Sequence, residues 1–114
     1  MIIKREARQK HQNSKQCTVF TYDFGEKKIS ISVADIQGRY PDEGYVINEE
    51  VTEMFYVENG LGKIVIDEEE HKLAPQDVVL IHPGQKFYYD GNLRVVITCA
   101  PVWYIEQYKE SKQK

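Results

Sequence analysis

Cysteine is scarce in this chain: Cys17 and Cys99 are the only two in 114 residues. Two are too few for a disulfide framework, and a reducing cytoplasm is the compartment this predicts. Long apolar stretches are missing too. The longest aliphatic run, Val78 to Ile81, falls far short of the roughly 20 residues that a membrane-crossing helix needs, so no membrane partner is expected. The opening Met1-Ile2-Ile3-Lys4-Arg5-Glu6-Ala7-Arg8 is too charged for a secretory leader, and none is expected. Internal repeats and low-complexity linkers are absent as well, and the length suits one domain over 1–114.

Charge of one sign is also lacking, since the net value is only −3. Lys4, Arg5, Arg8, Lys10 and Lys15 make residues 1–16 a basic segment, and Lys109, Lys112 and Lys114 close the chain. A nucleic-acid reader would need a recognisable module beside such charge, and neither a helix-turn-helix pattern nor a zinc-finger spacing is present. Solvated ends are the expectation, with no nucleic-acid partner. The acidic run Asp67 to Glu70 lacks the alternating acids and the bend glycine of a calcium loop and is read as a hairpin tip. His11 and His71 receive no role.

What the chain does have is alternation. Apolar and polar residues alternate at Thr18–Tyr22, Ile29–Ile36 and Lys63–Ile66, and strand-like runs follow at Gly44–Asn48, Met54–Val57, Val78–Ile81, Phe87–Tyr89 and Leu93–Cys99. Turn-formers separate them at 24–27, 38–44, 59–60, 67–70, 75–76 and 90–92. Many short strands at close spacing predict an all-β sandwich or barrel. After Pro101, the segment Trp103–Ser111 is read as a short helix with Tyr104 and Tyr108 on one face.

Glu53 followed six residues later by Gly60, with Phe55-Tyr56-Val57 between, resembles the end of the first cupin motif, G-x5-H-x-H-x3or4-E-x6-G. Gly84 answers to a glycine of the second motif, G-x5-P-x-G-x2-H-x3-N. The resemblance runs from about Gly44 to Asn92, and the ending Ala100 to Gln107 is similar to that of a group of small cupins. It implies a double-stranded β-helix, or jelly-roll, barrel closed by a short C-terminal helix. It also implies a metal site whose histidines are not here. The first motif's pair would fall on Ile47 and Glu49, or on Val46 and Asn48, while the second motif's leading glycine, proline and histidine become Gln76, His82 and Phe87. Several imidazoles with a carboxylate are what a catalytic transition metal wants. No cofactor is therefore expected; Glu49, Glu53 and His82 are the set a divalent metal would have to use.

Strand parity places Phe55 and Val57 on the same face as Glu53, with Met54 and Tyr56 opposite, and brings Phe87 and Tyr89 inside. The expected ligand-binding residues are Asn48, Glu53, Phe55, Phe87, Tyr89, Trp103 and Tyr104, the last two as a lid. Aromatic faces with one or two polar atoms suit a small polar or aromatic metabolite; a barrel filled solid by those side chains is the structural alternative. A carboxyl inside an apolar barrel has a raised pKa, so Glu53 is the expected acid or base, with Tyr89 as a second proton donor. The competing functions are a metal-dependent oxygenase or isomerase and a non-catalytic interaction module. Outward Met54 and Tyr56 predict a homodimer.

Overall fold

The computed structural model describes residues 1–111. Its strands, among the described residues, are β1 (Gln9–Ser14), β2 (Cys17–Thr21), β3 (Ser30–Tyr40), β4 (Tyr45–Asn48), β5 (Thr52–Ile66), β6 (Glu69–Leu73), β7 (Val78–Ile81), β8 (Lys86–Ala100) and β9 (Tyr108–Ser111). Every pairing between them is antiparallel. The order β1-β2-β3-β8-β4-β9 runs through β8, and β5 pairs with β6, β7 and β8. The sheet is thus organised on the long β5–β8 pair and curls around it.

β5 and β8 are each 15 residues long, and both run through segments read from sequence as turns. Asn59-Gly60 lies inside β5, where the register with β8 slips between Val57 and Asn59. Asp90-Gly91-Asn92 lies inside β8. The glycines there bend the sheet without ending the strands. Gly91 pairs with Gly38 of β3 on one side and with Gly62 of β5 on the other. It has φ +137°, and a Cβ built on it would lie 2.5 Å from Gly62 Cα and 2.6 Å from Leu61 O. A row of glycines across three strands lets the backbones approach closely enough for the sheet to fold over itself.

Burial follows strand parity as expected. Glu53, Phe55 and Val57 are buried while Met54, Tyr56 and Glu58 are exposed, and Phe87 and Tyr89 are buried on β8. The core gathers Ala34 and Ile36 from β3, Val46 from β4, Phe55, Val57 and Ile64 from β5, Ile81 from β7, and Phe87, Leu93 and Val95 from β8.

At the N-terminal end Gln9–Ser14 is a strand, hairpinned onto β2 with its side chains largely exposed. One expectation is corrected at the other end. The segment Trp103–Ser111 forms no α-helix: a 3-10 turn at Ile105–Gln107 leads into β9. β9 pairs Tyr108–Ser111 with Asn48–Tyr45 on the open edge of β4. An unpaired strand edge offers a ladder of hydrogen bonds that a weak, short helical tendency does not match. Tyr104 and Tyr108 consequently point to different surroundings. No helix of the described residues is long and apolar enough to cross a membrane.

Candidate functional site

Glu53 is the residue on which the interior chemistry turns. Its side chain enters the core from β5 because period-2 alternation gives it the same face as Phe55 and Val57, and it is only 7 % exposed. Two donors meet its carboxyl. Tyr89 Oη donates to Oε2 at 2.9 Å, and Asn48 Nδ2 donates to Oε1 at 3.2 Å. No cation among the described residues is one of its partners. Burial drives its pKa upward, and the bonds from Tyr89 and Asn48 offset this only in part. Burial also pushes the Tyr89 hydroxyl well above its ordinary value, with the neighbouring Glu53 charge adding to the effect. The neutral forms of both are favoured, as expected where desolvation dominates.

A second layer holds this pair in one orientation. Gln107, 3 % exposed, accepts the backbone N–H groups of Glu50 and Val51 on its Oε1 at 3.2 and 3.1 Å. Its Nε2 therefore faces inward and donates to Asn48 Oδ1 at 2.8 Å. That in turn leaves Asn48 Nδ2 for Glu53. Backbone donors thus determine the direction of each amide in the chain Gln107, Asn48, Glu53. When Glu53 is neutral, its Oε1 still accepts from Asn48, so the proton belongs on Oε2 and donates to Tyr89 Oη, whose own hydrogen then turns away. Phe55 and Phe87 pack against the Tyr89 ring, with centroids 5.4 and 5.7 Å away. Every buried side-chain polar atom among the described residues has a partner.

Beside the pair lies a cavity of about 560 Å³. Glu53, Phe87 and Tyr89 form part of its wall, with Val19, Ala34, Ile36, Val46 and Ile97 supplying apolar surface. A second polar strip comes from Tyr40 and Tyr108, whose hydroxyls are 2.9 Å apart. Cys17 and Cys99 are free, buried and in the wall. Burial pushes both thiols up to about 12, aided by the charge of Asp35 at Cys17 and of Glu53 at Cys99. Asp23, Phe24, Glu26, Trp103 and Ile105, all exposed, mark the rim. The interior is therefore hollow in part and not filled solid by its aromatics.

The seven residues expected around a ligand separate into three positions. Glu53, Phe87, Tyr89 and Trp103 line the cavity. Asn48 and Phe55 stand behind Glu53 and Tyr89. Tyr104 does not share the lining: its hydroxyl donates to Glu50 at the surface. Trp103 instead packs edge-on against Tyr108, centroids 5.3 Å apart.

Glu49, Glu53 and His82 are not brought together. Glu49 is exposed, with Lys109 at 4.0 Å, and His82 is exposed in the turn after β7, its backbone N–H bonded to Gln85. No three His, Cys, Asp or Glu side chains among the described residues form a group able to hold a metal. Gln107, Tyr40, Tyr108 and Cys17 were not anticipated. Cys17 has a local signal, since Cys17, Val19 and Thr21 share a parity on β2. Gln107 has none, because its role depends on where β9 docks.

Nothing matches the chain among protein-family models or among curated proteins. Solved structures do match. Pac13, a nucleoside dehydratase, superposes with a TM-score of 0.89 at 15 % identity, over 98 % of this chain and 91 % of that one. A substituted form of this Streptomyces protein, solved with uridine, gives the same score at 16 % identity, over 98 % and 90 %. KdgF from Halomonas sp. matches with a TM-score of 0.71 at 11 % identity, over 89 % of this chain and 94 % of that one. Ectoine synthase from P. lautus matches with 0.68 at 16 % identity, over 88 % and 79 %. At such identities the likeness is one of fold, and the fold is the cupin barrel.

Proposed function

We propose that this barrel binds a small, ring-bearing polar metabolite in its cavity, oriented by the Glu53–Tyr89 pair and without a catalytic metal. The observation that carries the reading is a hollow of about 560 Å³ with a buried, directionally held carboxyl in its wall. That volume lies within the roughly 300–1,000 Å³ of small-molecule pockets, and an apolar lining with a few converging polar groups is their usual make-up. Phe87 and Trp103 offer aromatic faces to a ring, while the Tyr89, Tyr40 and Tyr108 hydroxyls offer hydrogen bonds to its substituents. The uridine in the Streptomyces relative, a ring with hydroxyls, supports a ligand of that size and polarity.

Glu53 also suits proton exchange. A carboxyl whose pKa is raised by burial is a competent general acid or base near neutral pH, and Tyr89, hydrogen-bonded to it in the same cavity wall, is a second donor. The fold has metal-dependent members, but the donors here do not fit that chemistry. Both Glu53 oxygens are engaged in hydrogen bonds, to Asn48 and Tyr89, and Glu49 and His82 lie elsewhere.

The test is calorimetric titration of uridine and a panel of uncharged ring metabolites into the untagged protein and into Glu53→Gln, alongside elemental analysis. At least one compound should saturate the wild type and bind the variant more weakly. At a hundredfold excess over Kd it should stabilise the fold by about 2.7 kcal/mol. Iron, manganese, nickel or zinc near stoichiometry after dialysis against chelator, with no binding by the metal-free protein, would defeat the reading.

A further inference from the structure

We infer that the ligand carries no anionic group: the cavity takes an uncharged, hydroxyl-bearing compound and rejects its phosphate, sulfate or carboxylate counterpart. The inference rests on the binding reading above and adds the chemical class. Its basis is the charge inventory of the lining. Among the described residues the wall contains no lysine and no arginine. Its acidic members are Glu53 within and Asp23 and Glu26 at the rim.

Among the described residues, His11 on exposed β1 is the single lining group able to carry positive charge. It sits where water screens it. Lys27 and Lys28 adjoin Glu26 in sequence, and their backbone N–H groups bond its carboxylate; neither side chain joins the lining. The polar atoms that do face inward belong to neutral groups, the Tyr40, Tyr89 and Tyr108 hydroxyls foremost. Sites built for phosphate or carboxylate supply arginine, lysine or a cluster of backbone N–H donors. An anion entering here would lose its water, meet no cation, and approach acids at the rim and in the wall. Burial itself favours the neutral carboxyl at Glu53, so an uncharged ligand leaves the favoured protonation state undisturbed.

Two dyes with one ring framework supply a test that does not require knowing the metabolite: N-phenyl-1-naphthylamine, which is uncharged, and 8-anilino-1-naphthalenesulfonate. Fluorescence titration should show the uncharged dye binding at least about tenfold more tightly, roughly 1.4 kcal/mol. Ser32→Trp, which fills the cavity from β3, should abolish this binding. Thr21→Trp, at the residue paired with Ser32 on β2 and also in the lining, serves if that variant fails to fold. Thr21→Lys, which places a cation in the wall, should narrow the difference between the dyes. Sulfonate bound as tightly as the uncharged dye, and lost equally on blocking, would overturn the charge inference alone. Binding of neither dye in a block-sensitive way would remove the cavity reading and this inference with it.

Discussion

At the scale of the residue, Glu53 links stability to pH. Its folded-state pKa lies above the unfolded one, so the folded protein holds a proton that the unfolded chain releases first. Stability from this group is complete below the ordinary glutamate range and declines as pH rises from there through the raised value. A melting series against pH should fall over that window, and Glu53→Gln should flatten it. The glutamine mimics the neutral acid: its oxygen accepts from Asn48 and its amide donates to Tyr89. Its melting temperature at neutral pH is expected to equal or exceed that of the wild type. A loss of about 3 to 5 kcal/mol would instead mark a buried charge broken from its partners and a scaffold role for Glu53. Cys17 and Cys99 make a second residue-scale prediction. With both thiols pushed up to about 12, the thiolate is scarce at neutral pH, and both are buried. Ellman's reagent should report no rapidly reacting thiol in the native protein and two after denaturation.

Among the elements, β5 and β8 depend on glycine where they bend. Gly91→Ala would force a Cβ against Gly62 and the Leu61 carbonyl at 2.5 and 2.6 Å, at a backbone angle that alanine rarely adopts. Neither obstacle is a flexible side-chain end. Denaturant titration should find a loss of about 2–4 kcal/mol, within the range of core strain, whereas Gly25→Ala, with open space around its Cβ, should lose less. The same elements explain why some turn signals misled. Gly60 and Asp90-Gly91-Asn92 have turn chemistry, but their glycines serve close approach between strands that continue. The C-terminal segment misled for another reason: helical and strand tendencies are close there, and the free edge of β4 decided between them.

Taken whole, the molecule leaves an apolar outer face on its curled sheet. Pairing registers Ile31, Thr98, Met54 and Leu80 in one row and Val33, Val96, Tyr56 and Val78 in the next, across β3, β8, β5 and β7. Ile31, Met54, Tyr56, Val78 and Leu80 are exposed. A patch of this kind is a usual seat of association, and a second copy of the chain is the expected cover. Light scattering in the micromolar range should give twice the chain mass, and Met54→Glu combined with Tyr56→Glu should halve it without altering the melt of the monomer fold. A monomer at all concentrations in the wild type would end that expectation.

Much of this protein is determined by local pattern. Alternation over 53–57 and at 87 and 89 sets which side chains face inward, because strand periodicity is a property of neighbouring residues alone. The same pattern, with the spacing from Glu53 to Gly60, made the barrel legible, and it identified a buried acid in need of a partner, for which Tyr89, Asn48 and Lys86 were open; Tyr89 and Asn48 take that place, and Lys86 pairs with Glu68. Tertiary structure decided the rest. Gln107 meets Asn48 only because β9 docks on β4; Tyr40 meets Tyr108 across 68 positions; and His82, one candidate ligand, is carried to an exposed turn. Whether the barrel is hollow or filled likewise depends on how β2, β3, β4, β5 and β8, which all contribute to the cavity wall, come together, a sum over many strand pairings that no single segment encodes.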